Sequence, residues 1–380
     1  MHLLFPVRKD LNSIQALHVS HSVHHRDGGI AFAVGDLLST QQQNGMYSRW
    51  LTADQFAPFQ RDQKLVEKIN LIQPNILHFH GLWRSHTRVI RQLKHLQSCS
   101  VVAPHGMLDP WAVAHASWKK ELVWSLWESQ SLQNVGCLHA LCEAEAVAIQ
   151  RRLPNKPVAV IPNGVHLPSS KTLERHYLPW VNDIQSNANI LLFFGRFHLK
   201  KGIEPLLTAW QSVIDFAEQS NWHLVLIGFG DDGKLQSQLN TFPIPRCHFY
   251  PPVFGLQKTA VLQHASAFVL PSYSEGLPVA ALEAMAYRLP CLLSTACNLQ
   301  AAFHANAALV AEPETSQLIP CLRSLFDLDV QQIESMGLNG FDLVRCQFGW
   351  SYACESTRHL YEWLLGHAKQ PDFVKMDWSF

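Results

Sequence analysis

The segment ILLFFGRFHLKKGIEPLLTAWQSVI, residues 190–214, reads as a strand, a short loop and a helix in immediate succession. Residues 190–194 are apolar at every position, as in a strand covered on both faces. Gly195 closes the run. Ile203, Leu206, Leu207, Trp210, Val213 and Ile214 then recur at spacings of three and four, the period of a helix with one buried face. Such a strand followed by such a helix is the repeating unit of a parallel sheet.

The same alternation extends in both directions. Upstream, IQALHVS, MYSRWL, NILHFH, SVVAP, CLHAL and VAVIP are short apolar runs between residues 14 and 162, separated by segments of helical length at 30–43, 83–96 and 117–131. Downstream, HLVLIG, RCHFY, AFVLP, PCLLS and ALVAE continue the series. Between the two series, residues 162–189 are rich in Pro, Asn and Ser and suit an interdomain connection. The last 50 residues carry no strand pattern and read as helices at 330–345 and 350–365. The expectation is therefore an α/β chain of two Rossmann-like domains, 1–165 and 166–349, with the C-terminal helix of about 350–380 returning to the first. Ligands of such sheets bind outside the carboxyl ends of the strands, so two facing domains place a cleft there.

A chain of 380 residues with 47% hydrophobic residues has material for more than one core. Thirty basic and thirty acidic residues cancel, which argues against a nucleic-acid partner held by counterion release. The start MHLLFPVRKD is too short in apolar residues for a signal-peptide core, and nothing approaches the ~20 apolar residues of a membrane helix, so a cytoplasmic protein is expected. The nine cysteines lack CxxC spacing and read as reduced thiols. His21, His24 and His25 invite a metal site, but without an acidic or Cys partner the plainer reading is a surface loop. Trp111, Trp118, Lys119, Lys120, Trp124 and Trp127 suggest contact with a membrane surface. Packed tryptophans with solvated lysines are preferred there, since the Trp spacing defines no single face.

Four places carry chemistry. In GRFHLKKG, Arg196 follows the strand-ending Gly195, and Lys201 and Gly202 precede the helix, so two cations flank a helix amino end suited to a diphosphate. In VLPSYSEGLPVAALEAMA, a strand at 267–271 runs into Glu275 and Gly276, and Pro278 stands at the first helical position. The amides of Gly276, Leu277 and Val279 are then free donors, and Glu283 lies ~7.5 Å further along the axis. In VVAPHGM, a strand at 100–103 ends in a loop carrying His105. Gly28 and Gly29 follow the first strand and let backbone approach a phosphate. A rival signal, Gly228, Gly230 and Gly233 after HLVLIG, has the spacing of a dinucleotide fingerprint and keeps an NAD-dependent dehydrogenase as the alternative. Asp231 and Asp232 inside that loop, and no acidic residue ~20 positions on, count against it.

Taken together, Gly195-Arg196 with Lys201-Gly202, Glu275 with Glu283 seven residues between, PHGM at 104–107 and IPNGV at 161–165 resemble the retaining family 4 glycosyltransferases of the GT-B fold. The resemblance implies a nucleotide diphosphate sugar donor, UDP or GDP, and a carbohydrate or lipid-linked acceptor in surface polysaccharide or lipopolysaccharide synthesis. It implies catalytic roles for His105, Arg196, Lys201 and Glu275. It implies donor binding by Gly28, Gly29, Gly195, Gly276, Leu277, Pro278, Val279 and Glu283, with no metal and no cofactor. A catalytically silent nucleotide-sugar binder, and an epimerase on the same fold, stay open beside it.

Overall fold

The computed structural model describes residues 14–24, 29–109, 117–168, 173–230 and 243–378. All twelve apolar runs form strands: β1 (Gln15–Ser20), β2 (Tyr47–Thr52), β3 (Ile76–His80), β4 (Ser100–Ala103), β5 (Cys137–Ala140), β6 (Val158–Val160), β7 (Asn189–Phe197), β8 (Trp222–Gly230), β9 (Cys247–Tyr250), β10 (Ala267–Leu270), β11 (Cys291–Leu293) and β12 (Ala308–Val310). A thirteenth, β13 (Val374–Lys375), pairs antiparallel with β6. It corrects the expectation that the last 50 residues hold no strand; two residues are too few to show alternation.

The chain divides into Met1–Gly164 with Trp350–Phe380, and Val165–Gly349. The first unit holds a sheet of order β13-β6-β5-β4-β3-β1-β2, the second a sheet of order β12-β11-β10-β7-β8-β9. Apart from β13 the pairings are parallel. Counted from its own first strand, the second sheet runs 3-2-1-4-5-6, the doubly wound order in which winding reverses between the first and fourth strands. Those strands are β7 and β10. In the first sheet the reversal lies between β1 and β3, both of which pair as neighbours.

Burial follows from the sequence pattern. β3, β4, β5 and β10 are buried at every position. The helix Ile203–Ser212 turns Ile203, Leu206, Leu207, Ala209 and Trp210 inward, each large side chain contributing ~1.5–3 kcal/mol. The helix Trp350–Leu364 packs in the first unit, where Ala353, Leu360 and Tyr361 share a cluster with Ala33 and Leu37 of the helix Gly29–Gln43.

Three sequence readings need correction. The segment 83–96 is not one helix: Leu93, at φ −96° and ψ 46°, leaves the helical region and divides short turns at Ser85–Arg88, Val89–Gln92 and Lys94–Cys99. The segment 117–131 is interrupted by a π-turn at Trp124–Glu128. The supposed connection 162–189 is part of a core, because Leu178, Trp180 and Ile184 pack in the second unit, Trp180 at 1% exposure. Among the described residues no helix is long and apolar enough to cross a membrane.

Candidate functional site

At the point where winding reverses in the second sheet, the chain leaving β7 meets the chain leaving β10. Lys201, from the turn after β7, places Nζ 2.5 Å from Oε1 of Glu275, in the turn after β10; the side chains are 16% and 8% exposed. Ser272 donates to the same oxygen at 2.6 Å. The Glu275 backbone is held twice, its amide donating to the Ala296 carbonyl at 3.0 Å and its carbonyl accepting from Asn298 Nδ2 at 2.6 Å. Oε2 of Glu275 has no protein partner among the described residues, so the carboxylate keeps acceptor capacity. Lys201 has two further N–H donors beyond the ion pair.

Glycine explains why these loops come so close. Gly202 sits at φ 66°, and a Cβ there would stand 1.9 Å from the Pro271 carbonyl at the end of β10. Any side chain would push Lys201 away from Glu275. The turn is further tied by the Tyr273 amide, which donates to the Lys200 carbonyl at 2.7 Å.

Arg196 is exposed and lies one step inside β7 rather than beyond it, since the strand continues to Phe197; its guanidinium carbon is 5.7 Å from the Phe229 ring centre. Gly195 pairs with Gly228 in the β7–β8 ladder. A Cβ on Gly228 would meet the Gly195 carbonyl at 1.8 Å, so the first glycine of the rival fingerprint serves strand packing. Gly230 also lies in β8, paired with Phe197, where a dinucleotide loop needs a turn. Gly233, Asp231 and Asp232 lie outside the described residues.

The helix after Glu275 spans Val279–Ala286, so Pro278 is its N-cap and not its first residue. At φ −81° and ψ 76° Pro278 forms a tight inverse turn in which the Val279 amide donates to the Leu277 carbonyl at 3.0 Å. The expectation that Val279 offers a free amide is thereby corrected. The amides of Gly276 and Leu277 have no partner among the described residues, and the space a Gly276 Cβ would occupy is open. Glu283, in the helix, bonds Lys258 Nζ at 2.6 Å with both side chains about one quarter exposed.

In the first unit His105 follows β4 in the left-handed region, at φ 53°. Its Nε2 lies 3.0 Å from His80 Nδ1 at the end of β3, and burial with a second push from His139 holds its pKa down to about 3. The loop is pinned where the Gly106 amide donates to Glu145 Oε1 at 2.6 Å, and burial raises the Glu145 pKa. Glu128, at the end of the π-turn, is fully buried; it accepts from the Trp83 amide and the Thr87 hydroxyl, and burial lifts its pKa to about 7. Gly29 opens the helix Gly29–Gln43, while Gly28 and His25 lie outside the described residues.

Of the proposed surface residues, Trp118 is 69% exposed and stands in register with exposed Leu122 and Leu126, with Lys119 beside it. Trp124 packs instead on the core under the Arg152 guanidinium, and Trp127 lies under that of Arg88; Trp111 is outside the described residues.

Sequence reasoning missed Ser272, Lys258, Ala296 and Asn298, each of which holds one of the two glutamates, Ser272 from the same turn and the other three from distant segments. Lys258 and Ser272 carried no local signal. Asn298 did: it stands at φ 55°, in a segment, TACNLQ, with turn-forming composition.

Comparison with known proteins fits this arrangement. Residues 28–164 match the family model described as glycosyl transferase 4-like domain, and residues 188–327 that described as glycosyl transferases group 1. TuaC of Bacillus subtilis, named as a teichuronic acid biosynthesis glycosyltransferase, is 25% identical over 177 residues, 46% of this chain and 42% of its own length. A glycosyltransferase of Methanocaldococcus jannaschii is 29% identical over 133 residues, 34% of this chain and 30% of its own. The chain thus aligns with less than half the length of these relatives. Among solved structures, sucrose-phosphate synthase of Thermosynechococcus elongatus superposes with a TM-score of 0.73 at 19% identity, covering 93% of this chain and 100% of that one. HepE of Anabaena, solved with UDP and glucose, gives 0.66 at 13%, covering 91% and 99%. WaaG, a glycosyltransferase involved in lipopolysaccharide biosynthesis, gives 0.66 at 15%, covering 93% and 100%.

Proposed function

This chain belongs to the group 1 glycosyltransferases, and from that premise we propose that it transfers a sugar from a nucleotide diphosphate donor to a hydroxyl acceptor, with retention at the anomeric carbon and without a metal ion. The observation that carries the reading is the Lys201–Glu275 pair at the winding reversal of the second sheet, where ligands of doubly wound sheets bind. Lys201 and Arg196 supply the positive charge a diphosphate leaving group needs. The partnerless Gly276 and Leu277 amides at the head of the helix Val279–Ala286 add fixed donors. Glu275, tied down through its backbone and with Oε2 open, suits hydrogen bonds from sugar hydroxyls, and Glu283 suits the ribose. His105, in the loop after β4, is the residue of the first unit to which the family resemblance gives contact with a donor sugar.

In this reading no side chain attacks the anomeric carbon. The acceptor oxygen bonds to it on the face the leaving group departs from, the bond to the diphosphate oxygen breaks, and that phosphate oxygen takes the acceptor's proton. The protein's share is electrostatic: cations and amides placed where negative charge grows on the leaving group. HepE, solved with UDP and with UDP-glucose, makes uridine donors the first to test. TuaC and WaaG point to surface polysaccharide as the acceptor class. A carbohydrate or lipid-linked saccharide on the cytoplasmic face follows, with the exposed Trp118, Leu122 and Leu126 stripe resting on the membrane.

Thermal-shift titration with UDP, GDP, ADP and NAD tests the donor assignment. Stabilisation by a nucleoside diphosphate is expected, and stabilisation by NAD alone would reject the transferase reading. Flotation with anionic liposomes tests the stripe: Trp118→Ser with Leu122→Ser should abolish association, and a parent protein that stays in the dense fraction removes the membrane contact.

A further inference from the structure

The first unit contains five histidines joined ring to ring across its sheet, and their hydrogen bonds have a direction. At one end His139 Nε2 lies 2.7 Å from the Ile161 carbonyl oxygen, which only accepts, so that nitrogen carries the hydrogen. A neutral His139 then presents a lone pair at Nδ1, 3.2 Å from His78 Nε2, which must be the donor. His78 Nδ1 is in turn an acceptor, and Tyr361 donates its hydroxyl to it at 2.7 Å. From the other side of Gln41, its Nε2 donates to Thr357 Oγ1 at 3.3 Å, and the Thr357 hydroxyl donates to the Cys354 carbonyl at 2.8 Å.

The Thr357 hydroxyl therefore orients Gln41 with its oxygen toward His18. His18 Nε2, 2.8 Å away, donates to it. His18 Nδ1 accepts from His80 Nε2 at 2.9 Å, and His80 Nδ1 accepts from His105 Nε2 at 3.0 Å. We propose that this wire, running from the Cys354 carbonyl through Thr357, Gln41, His18 and His80, fixes His105 in the Nε2–H tautomer and leaves its Nδ1 as a bare acceptor. His80, His18, Gln41 and Thr357 are positioning residues for His105.

The wire needs neutral rings. No carboxylate is among the partners, and His18, His78, His80 and His139 are each less than 5% exposed, so an added proton would have no counter-charge. Burial accordingly holds all four well below the ordinary histidine value. His18, His78 and His80 stand close enough to hold a cation. All six of their ring nitrogens are already hydrogen-bonded, however, so a metal there would have to break those bonds. His105 Nδ1, by contrast, has no protein partner among the described residues and is not enclosed.

Reversal would turn the Gln41 oxygen toward Thr357 Oγ1, whose proton is given to the Cys354 carbonyl, so an acceptor would face an acceptor. The tautomer follows from the first unit alone; only its consequence, that His105 accepts a hydrogen bond from a donor hydroxyl and does not give one, rests on the transferase reading.

Neutron diffraction from deuterated crystals of the whole chain at neutral pH tests the wire without any donor. Deuterium is expected on Nε2 and absent from Nδ1 in His18, His78, His80, His105 and His139; deuterium on Nδ1 of His105 or His80 overturns the proposal. In solution, long-range nitrogen–proton spectra of protein labelled with 15N-histidine should show His105 as a single Nε2–H form, assigned by loss of its signals in His105→Asn. Thr357→Ser keeps the hydroxyl and should leave that form intact. Thr357→Val removes the anchor of Gln41 and should split His105 into two tautomers; an unchanged single form in that variant refutes the relay. Should that variant not fold, the neutron result decides alone. Correct tautomers in a protein that binds no nucleoside diphosphate would reject the transferase reading and leave the wire standing.

Discussion

Acidification should unfold the first unit at a pH where most proteins are stable. Five histidines there, His18, His78, His80, His86 and His139, are less than 5% exposed, and burial holds His18, His86 and His139 down to about 4 and His78 and His80 well below the usual value. The unfolded chain takes up protons near pH 6.5, so between 6.5 and the native values the folded state binds fewer protons and stability falls as pH falls. At pH 5 each of His18, His86 and His139 costs about 2 kcal/mol, or roughly 6 kcal/mol for the three, and His78 and His80 add in the same sense. Glu128 and Glu145 act in the opposite sense. The Glu128 pKa is about 7 in the fold against about 4.3 for an exposed glutamate, so lowering pH through 7 removes the cost of a buried charge. Glu128 returns ~2 kcal/mol between pH 7.5 and 5, and the remaining loss of about 4 kcal/mol, deepened by His78 and His80, is a large fraction of the whole stability of a domain. Hydrogen exchange read by mass spectrometry should show protection of β3 and β5 collapsing by several orders of magnitude from pH 7.5 to 5 after correction for intrinsic rates. β7 and β8 should lose less, because the only buried-side histidines shifted in that sheet, His223 and His248, are partly exposed. Protection of β3 that changes less than tenfold would refute the assignment of these rings as neutral and buried.

Gly202→Ala should cost more than ~2 kcal/mol in urea unfolding, from the left-handed φ of 66° and a Cβ placed 1.9 Å from the Pro271 carbonyl, and should abolish nucleotide-induced thermal stabilisation. Arg196→Ala and Lys201→Ala should each lower kcat by about 10²–10³, the scale of a lost oxyanion donor. Only Lys201→Ala should also lower Tm, because it strips the cation from the 8% exposed Glu275; activity near the parent level in both would remove the diphosphate role. Lys258→Met should change stability by under ~1 kcal/mol, the pair with Glu283 being about one quarter exposed, whereas Glu283→Ala should weaken nucleotide affinity at least tenfold in calorimetric titration. Glu128→Gln should raise Tm at pH 8 and leave it nearly unchanged at pH 4.5, as an amide replaces a carboxyl that ionises at a cost of about 3 kcal/mol; equal shifts at both values would contradict the raised pKa.

The twelve parallel strands were legible because strands covered on both faces become unbroken apolar runs, and the helix Ile203–Ser212 because one buried face imposes a period. β13 and the π-turn at Trp124–Glu128 were not, since a two-residue pairing and one extra residue per turn leave no periodic trace. The histidine wire leaves a trace in the sequence. Three strands carry His within an apolar run, in ALHVS, ILHFH and CLHAL, and His78 and His80, two apart, share a face of β3. His21, His24 and His25 lie close together in sequence, whereas it is register that matters: His18 stands opposite His78 across the β1–β3 ladder.

The same distinction separates the two halves of the Gly195-Arg196 and Lys201-Gly202 motif. Residue type announces the cations, because a diphosphate site needs positive charge. The glycines answer a different demand that no local pattern states. Gly228 lets β8 lie against the Gly195 carbonyl, and Gly202 lets the turn after β7 touch the end of β10. Without that approach Lys201 and Glu275 would be two solvated charges on separate loops, worth little to each other. With it they form one 2.5 Å pair, 16% and 8% exposed, at the winding reversal. The motif is therefore a packing solution first, and its electrostatics depend on it. The two classes of substitution should accordingly separate in experiment: changes at the glycines move fold and binding together, while Arg196→Ala, at an exposed position, moves activity alone.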